Sequence, residues 1–462
     1  MDSDRGVSPN MDKKLPSLSK EFLSLLTIAA PLAAAYLAEI AMMLTDMAIV
    51  GRLGNLELAA VGLTGDLMFA IMLFCMAAIS MIGVLVAEAI GTGDKYSAAR
   101  QVRLGLVLSV GLAIPGMMLI WFLVPLLSRT GQDPQVLAYG ELYLHAAVWC
   151  FLPSIWFVVL REFVAALSRP SSVMIITLLA VGLNALLSYG LVFGAFGLPA
   201  LGVSGAGWAT SIVCWFMFFA LLWYVLRSKH FREFPIFKRD REGTLTGCWQ
   251  ILVLGAPLGG IALMEEGMFA TIAILIGSIS AVALAASQIV ISTISISFVV
   301  VMAIGEAAAI RVALSIGEGK PAQARRAGLL GLGSGVVFMS IAACIFLAAP
   351  KLLAAMFISI DDPANQDVVE IAAGLFVIAG VFQIFDGMGA ISVRALRGMR
   401  DTFVPMWVAV VGYWGFGVPG GYLLGFVFGY GTAGVWWGLA IGLSITAIVL
   451  TRRFMKFSAR NT

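Results

Sequence analysis

The chain has 462 residues, of which 61% are hydrophobic and 12% are charged, and its formal net charge is +3. Soluble globular domains carry about 25% charged residues, so this composition excludes that class and predicts an integral membrane protein. The five cysteines stand singly without a CxxC pair, which argues against a metal site or a disulfide framework.

Apolar segments long enough to cross a bilayer, about 20 residues each, recur along nearly the whole chain. The polar residues 1–20 lack the apolar core of a cleavable signal peptide, so we expect the first span to act as an uncleaved insertion signal. The predicted fold is all-α with twelve spans, at residues 23–50, 59–90, 102–127, 138–160, 171–194, 203–226, 249–277, 280–315, 327–350, 369–393, 403–427 and 433–451.

The basic residues predict the orientation of the chain in the membrane. We assign 26 of the 29 Lys and Arg residues, including Arg161, Arg394 and Arg397, to tails and loops on the side that carries both termini. Because Lys and Arg accumulate in cytoplasmic loops, this distribution predicts that both termini are cytoplasmic. The three exceptions are Arg52, Arg129 and Lys351.

The two halves of the chain repeat each other. One constant offset in the numbering pairs Pro31 with Pro257 and Glu39 with Glu265, and it holds without a gap from residue 31 to residue 105. Six spans in each half give both halves one orientation, which predicts a parallel repeat of two lobes with the substrate in the cleft between them. The predicted units are a cytoplasmic tail (1–22), an N-lobe (23–226), a cytoplasmic linker (227–248), a C-lobe (249–451) and a second cytoplasmic tail (452–462).

Acidic residues inside the spans are the main candidates for function. An acid at the centre of a membrane helix costs about 2.5–3.5 kcal/mol, so each needs a partner, a proton or water. With the bases placed at the cytoplasmic ends, a cavity lined by unmatched acids would attract cations. We predict functional roles for Asp46 and Asp386, and water-accessible structural roles for three acids nearer span ends or beside glycine. Those three are Asp66, Glu162 and Glu306.

Other residues leave two interpretations open. Pro31 and Pro257 could kink their helices and free a carbonyl group, or they could be tolerated kinks without a role. Gln288 could line a cavity or form a hydrogen bond between helices. An intramembrane protease is disfavoured, because the GTGD sequence that ends at Asp94 has no second catalytic acid, and we predict that the chain is not an enzyme.

Several motifs together resemble the multidrug and toxic compound extrusion (MATE) family. The resemblance covers about residues 23–450 and depends on the order and spacing of the motifs. In the first half they are TDMAIVGRLG, AEAIGTGD and NALLSYGLVFG followed by GVSGAGWAT. In the second half they are PLGGIALMEEGMF, AAAIRVALSIGEG, RALRGMRDTFVP and YWGFGVPGGYLLGF.

The acids of the C-terminal half make the chain similar to the NorM-like bacterial branch. That resemblance assigns ion coupling to Asp46, Glu265 and Asp386, with Glu265 preferred to Glu266 because Phe269 follows it by four residues. Some relatives carry a tyrosine where this chain has Phe382. The predicted cavity residues are Gln288, Glu39, Phe382 and Met388; the predicted conformational residues are Pro31 and Pro257; and the predicted Na⁺ site, if sodium is the coupling ion, is Glu265 with Asp386.

The resemblance implies an antiporter of a bacterial inner membrane that exports lipophilic organic cations in exchange for Na⁺ or H⁺ by alternating access. We expect no cofactor besides the coupling ion, no nucleic-acid partner, and a monomer in the lipid bilayer. A flippase of lipid-linked saccharides is the main alternative, because related transporters share the two lobes. A channel is a third interpretation.

Overall fold

The computed structural model describes residues 17–236, 238, 243–359 and 362–460. Most of the predicted N-terminal tail, part of the predicted linker and the last two residues of the predicted C-terminal tail therefore lie outside the described residues.

Twelve helices of the described chain are long and apolar enough to cross a membrane, which confirms the twelve predicted spans. We number them α1 to α12. They are α1 (Leu18–Val50), α2 (Asn55–Gly91), α3 (Lys95–Trp121), α4 (Pro134–Ala166), α5 (Ser171–Phe193), α6 (Val203–Arg227), α7 (Thr244–Ile279), α8 (Ala281–Gly317), α9 (Pro321–Ala348), α10 (Gln366–Gly398), α11 (Phe403–Val427) and α12 (Gly431–Arg460).

Polar caps and helix breaks fit the local sequence. The side chains of Ser17, Asp94, Asp133 and Ser280 accept hydrogen bonds from backbone N–H groups at the starts of α1, α3, α4 and α8. Such capping satisfies donors that have no partner within the helix. Pro31 and Pro257 lie inside α1 and α7, which both continue through them, so the structure assigns neither proline a conformational role.

The internal repeat is visible in the helix boundaries. Helices α7, α8 and α9 begin at the same offset from α1, α2 and α3 as the one that pairs Pro257 with Pro31. Gly91 at the end of α2 and its mate Gly317 at the end of α8 lie so close that a side chain on either would overlap the backbone of the other helix. Because equivalent residues meet only at a symmetry axis, the axis of the repeat passes through this glycine contact.

The helices group as the repeat predicts. In the first half, α1 packs on α5 and α6 packs on α4 and α5; in the second half, α10 packs on α8, α9 and α12. We call α1–α6 the N-lobe and α7–α12 the C-lobe. The main contacts between the lobes are those of α1 with α8 and of α2 with α7 and α8.

Helix α11 departs from regular α-helical geometry. It contains two π-helical stretches, Val411–Gly417 and Leu423–Val427, and a side chain at Gly438 of α12 would overlap the backbone of Gly421. π-Helical turns often occur at functional sites, and small residues let membrane helices approach closely. The first stretch turns Tyr413 into the protein interior, where 6% of it is exposed.

The described residues that follow the predicted last span of each lobe are either packed against the protein or helical. After α6, Phe231 and Phe234 are buried against Phe163 of α4, with ring centroids 5.4 and 5.5 Å apart. Helix α12 continues to Arg460. Residues 452–460 of the predicted C-terminal tail therefore extend the last membrane helix.

Candidate functional site

Three of the predicted acids lie at similar depths in the bundle. Glu39 of α1, Glu265 of α7 and Asp386 of α10 are each within about 8 Å of the midpoint of their helix, at a rise of 1.5 Å per residue. Asp46 lies on α1 nearer the end that is remote from the chain termini. The structure therefore places three of the acids near the middle of their membrane-spanning helices and the fourth closer to one end.

Glu265 and Asp386 belong to one electrostatic cluster in the C-lobe. Glu265 is half-buried and Asp386 is 6% exposed, and their carboxyl groups are coupled electrostatically to each other and to Arg394 of α10, without a direct ion pair among the described residues. Glu266 adds to the negative charge at Glu265, and Tyr413 of α11 lies in the electrostatic field of Glu265 and Asp386. Two carboxylates beside one guanidinium leave one net negative charge when all three groups are ionised.

Arg394 and Tyr413 are members of this cluster that the sequence analysis missed. We placed Arg394 in a cytoplasmic loop, whereas α10 continues to Gly398 and carries Arg394 inside the protein. Tyr413 belongs to the motif YWGFGVPGGYLLGF, to which no role was assigned. A signal for it was present: a tyrosine in a glycine-rich span has a hydroxyl group that needs a partner when it is buried.

Asp46 forms the main polar site of the N-lobe. Its carboxylate accepts hydrogen bonds from Asn184 Nδ2 at 3.2 Å, from the hydroxyl of Ser188 at 2.5 Å and from the hydroxyl of Thr210 at 3.2 Å. These donors come from α5 and α6 and are neutral, so they orient the carboxylate without neutralising its charge. Asn184 Oδ1 has no hydrogen-bond partner among the described residues and is a free acceptor beside Asp46.

Glu39 has a basic partner, which corrects the expectation of acids without matching bases. The guanidinium of Arg161 lies 3.6 Å from Glu39 Oε1 and 4.9 Å from the ring centroid of Tyr36. Arg161 lies inside α4 and not in a loop, since the helix continues to Ala166. The side chain of Glu39 is 37% exposed and that of Arg161 is 12% exposed, so the carboxylate is the more accessible member of this pair.

Glu162 and Glu306 are not water-accessible, and that prediction was wrong. They are 1% and 5% exposed, because their helices cross at the contact between the lobes. Arg397 of α10, which is 3% exposed, donates to Glu306 Oε1 at 2.5 Å and to the hydroxyl of Ser80 at 2.6 Å. Ser80 and Glu306 are repeat mates at the common offset, so one arginine binds both members of a pair.

Three arginines of the C-lobe thus contact N-lobe residues, and we call these contacts the interlobe seam. Besides the bond from Arg397 to Ser80, Arg311 donates to Glu21 Oε1 at 2.7 and 3.0 Å, and Arg400 donates to Glu88 Oε2 at 2.7 Å. All three contacts lie in the half of the bundle that carries the chain termini. The seam closes the cleft between the lobes at that end.

The remaining candidates differ in burial. Gln288 of α8 is exposed and Met388 of α10 is half-buried. Phe382 is fully buried, with its ring centroid 5.7 Å from that of Trp436, and its role in a cavity stays a prediction.

Glu266, which follows Glu265 on α7, points elsewhere. Its side chain is exposed and has Asp66 of α2, also exposed, as its charged neighbour in the other lobe. The two adjacent glutamates therefore face different surroundings, as expected for neighbours about 100° apart on a helix.

The described residues contain no group of three or more His, Cys, Asp or Glu side chains arranged to hold a metal ion. The acidic pair Glu265 and Asp386 offers carboxylate oxygens, which suit a hard monovalent cation better than a transition metal.

Comparison with known proteins gives consistent matches along the chain. The MatE family model matches residues 31–190 and 257–423, two segments that begin at the repeat mates Pro31 and Pro257. The multidrug resistance protein NorM of Burkholderia vietnamiensis is 38% identical over 440 residues, which cover 95% of each chain. A probable multidrug resistance protein NorM of Pseudomonas aeruginosa is 37% identical over 445 residues, 96% of this chain and 91% of that protein.

Solved structures share the fold. The crystal structure of the eukaryotic MATE transporter AtDTX14 matches with a TM-score of 0.85 at 21% identity and covers 96% of this chain and 100% of that one. An outward-facing conformation of a multidrug resistance MATE family transporter matches with a TM-score of 0.85 at 17% identity, over 96% of this chain and 97% of that one.

Proposed function

The chain belongs to the MATE family of multidrug efflux transporters, and we propose that it exports lipophilic organic cations in exchange for inward Na⁺ or H⁺. The observation that carries the proposal is the net charge of the C-lobe cluster. Glu265 and Asp386 together carry one more negative charge than Arg394 neutralises. One proton or one sodium ion would complete the charge balance of a site from which most water is excluded.

The coupling ion would bind between α7 and α10. A sodium ion would take oxygen ligands from the carboxylates of Glu265 and Asp386, and a proton would reside on one of them. Tyr413 supplies a hydroxyl to the same cluster, which can donate to a carboxylate or accept from a protonated one. The residues therefore fit either coupling ion.

The transported molecule is inferred from the charged groups of the candidate sites outside the interlobe seam. There, six carboxylates (Glu39, Asp46, Asp66, Glu265, Glu266 and Asp386) accompany two guanidinium groups, those of Arg161 and Arg394. This excess of acids favours a cationic substrate and disfavours the phosphate-bearing saccharide lipids of a flippase. A lipophilic cation would gain from the charge without the large dehydration cost of a small ion.

Alternating access would follow from breaking and reforming the interlobe seam. If the termini are cytoplasmic, as the positive-inside pattern predicts, the seam closes the cytoplasmic end and the cleft opens outward. An ion that binds more tightly in one orientation of the lobes shifts the population toward that orientation, and a difference of about 5.5 kcal/mol moves a 1:99 equilibrium to 99:1. Ion and drug would then bind in turn.

A transport assay with amide variants tests this assignment. Asp386→Asn and Glu265→Gln each remove one negative charge with little change in shape, and both should abolish ethidium efflux coupled to an ion gradient in membrane vesicles. Glu370→Gln is the matched control, since Glu370 is an exposed acid on the same helix as Asp386. Comparing a pure sodium gradient with a pure proton gradient identifies the ion. Undiminished coupled efflux in both variants would refute the assignment.

A further inference from the structure

The extension of α12 beyond the membrane presents a cationic face that no transport step uses. If the apolar part of α12 ends at Leu450, its first 20 residues span about 30 Å, which matches the hydrocarbon core of a bilayer. The helix then continues for ten residues to Arg460. Arg452, Lys456 and Arg460 follow each other at intervals of four residues and are all exposed.

The opposite face of this extension is fixed to the protein. Phe454 is fully buried and fills the space beside Gly328 of α9, and Thr451 forms a 2.8 Å hydrogen bond with Ser392 of α10. At about 100° per residue, Phe454 points about 200° away from Arg452. The cationic face therefore has a defined orientation, away from the protein.

Arg453, in the same part of α12, forms an ion pair within the described part of the protein, unlike Arg452, Lys456 and Arg460. Arg453 donates to Asp401 Oδ2 at 2.6 Å and is committed to that ion pair. Within the described residues, Arg452, Lys456 and Arg460 form no ion pair. Their charges are available to a ligand.

On the same assumption about where the apolar part ends, two of the three cations lie at the level of the lipid headgroups. The headgroup layer adds about 6–7 Å on each side of the hydrocarbon core, or four to five helical residues, so Arg452 lies within it, Lys456 lies at its outer edge, and Arg460, about 15 Å beyond Leu450, lies on its aqueous side. Val449 and Met455, which are 42% and 41% exposed, lie beside these cations on the surface of the same helix. An exposed helix surface that carries apolar residues next to cations matches a lipid, in which acyl chains adjoin a phosphate.

We propose that this face, defined by Arg452, Lys456 and Arg460, is a binding site for the phosphate-bearing headgroup of an anionic phospholipid. The headgroup phosphate binds beside Arg452 and Lys456, Arg460 adds positive charge from the aqueous side, and the upper part of the acyl chains covers Val449. The site is independent of the transport mechanism, since its residues contact none of the acids assigned to ion coupling.

Native mass spectrometry of the full chain in detergent tests the site by titration with phosphatidylglycerol and, separately, phosphatidylcholine. Each Lys or Arg near an anionic membrane surface contributes about fivefold in affinity, so R452Q/K456Q/R460Q should weaken phosphatidylglycerol binding by about 25-fold if two cations contribute and by about a hundredfold if all three do, and should leave phosphatidylcholine binding unchanged. The matched control is R227Q/K229Q/R232Q, which removes three exposed cations at the same end of the bundle, after α6.

The outcomes distinguish a specific lipid-binding site from nonspecific electrostatic attraction. Retention of phosphatidylglycerol in the control triple variant and its loss in the α12 variant support the proposal. Equal losses in both variants would show diffuse attraction and overturn it, as would equal binding of the two lipids by the native chain. A further arm adds inorganic phosphate: if phosphate alone displaces phosphatidylglycerol, the site recognises a free anion and not a lipid.

Discussion

Replacing Arg397 with glutamine should release the interlobe seam. Arg397 is 3% exposed, donates to Ser80 of the N-lobe and neutralises Glu306, which is 5% exposed. Removal of one partner of a buried ion pair costs about 3–5 kcal/mol, because the other charge stays buried without compensation. When the lobes separate at this end, water reaches Glu306, so the cost applies to the closed seam and not to the opened one.

The expected magnitude follows directly. Since about 1.4 kcal/mol changes an equilibrium tenfold, R397Q should shift the ratio of closed to opened seam by between about a hundredfold and a few thousandfold. Removing both charges in R397Q/E306Q should restore much of the thermal stability, because no unpaired charge is then buried. The bond to Ser80 stays absent in the double variant, so the seam should remain weaker than in the native chain.

Double electron–electron resonance distances measure the opening. Nitroxide labels at Ser171 and Phe403, exposed residues at the starts of α5 and α11, report the separation of the lobes at the termini end. R397Q should add a longer distance to the distribution seen in the native background. The matched control is R453Q, which breaks a 2.6 Å ion pair to Asp401 inside the C-lobe. An unchanged distribution in R397Q, or an equal change in R453Q, would refute the reasoning.

Three further predictions concern other parts of the molecule. Because Arg161 and Glu39 neutralise each other, E39Q should weaken ethidium binding severalfold by leaving a positive charge, R161Q should tighten it severalfold by leaving a negative one, and R161Q/E39Q should bind about as the native chain does; a loss of binding in R161Q would contradict this account. Gly438→Ala should destabilise the fold by about 1–3 kcal/mol through overlap with α11 and lower the melting temperature, whereas Gly333→Ala, with open space around it, should not. Asp94 caps α3, and hydrogen bonds from Ser97 lower the pKa of the Asp94 carboxyl group below its ordinary value of 3.8. The contribution of this cap to folding stability is therefore present above about pH 4 and is lost as the pH falls through the lowered pKa. D94A should therefore speed hydrogen exchange in the first turn of α3 by about fivefold at neutral pH, and an unchanged rate would count against the cap.

The sequence was sufficient for the architecture because membrane spans are specified by simple properties. Length and apolar composition locate all twelve helices, since a bilayer admits few other structures. The constant offset between the halves predicted the repeat, and three helices of the C-lobe begin at that distance from their mates. It also paired Gly91 with Gly317, although sequence alone could not show that the two residues touch each other.

Sequence reasoning placed two basic residues of the candidate site, Arg161 and Arg394, wrongly. A hydropathy pattern stops a span at a charge, so Arg161 and Arg394 were assigned to loops, yet both helices continue past them. An arginine inside a helix is stable when an acid on another helix meets it, and such a pairing depends on packing and not on local sequence. The surroundings of Phe382 show the same limit: its position on α10 relative to Asp386 is clear from spacing, but the contact with Trp436 of α12 depends on packing.

Helix α10 gives a physical route between the ion site and the interlobe seam. It carries Asp386 near the membrane centre and Arg397 eleven residues later, about 16 Å away, as one continuous helix. Arg394, between them, interacts electrostatically with Asp386 and Glu265 and also with Glu306, the acid that Arg397 neutralises. In the proposed mechanism, an ion that neutralises Asp386 or Glu265 leaves Arg394 with less negative charge on the ion-site side and strengthens its attraction to Glu306. Arg394 would then compete with Arg397 for the carboxylate of Glu306. Arg397 would be held less firmly in the position from which it donates to Ser80, and the closed seam would weaken. Coupling of this kind needs a group that two sites both bias, and in the proposed mechanism Arg394 would be that group.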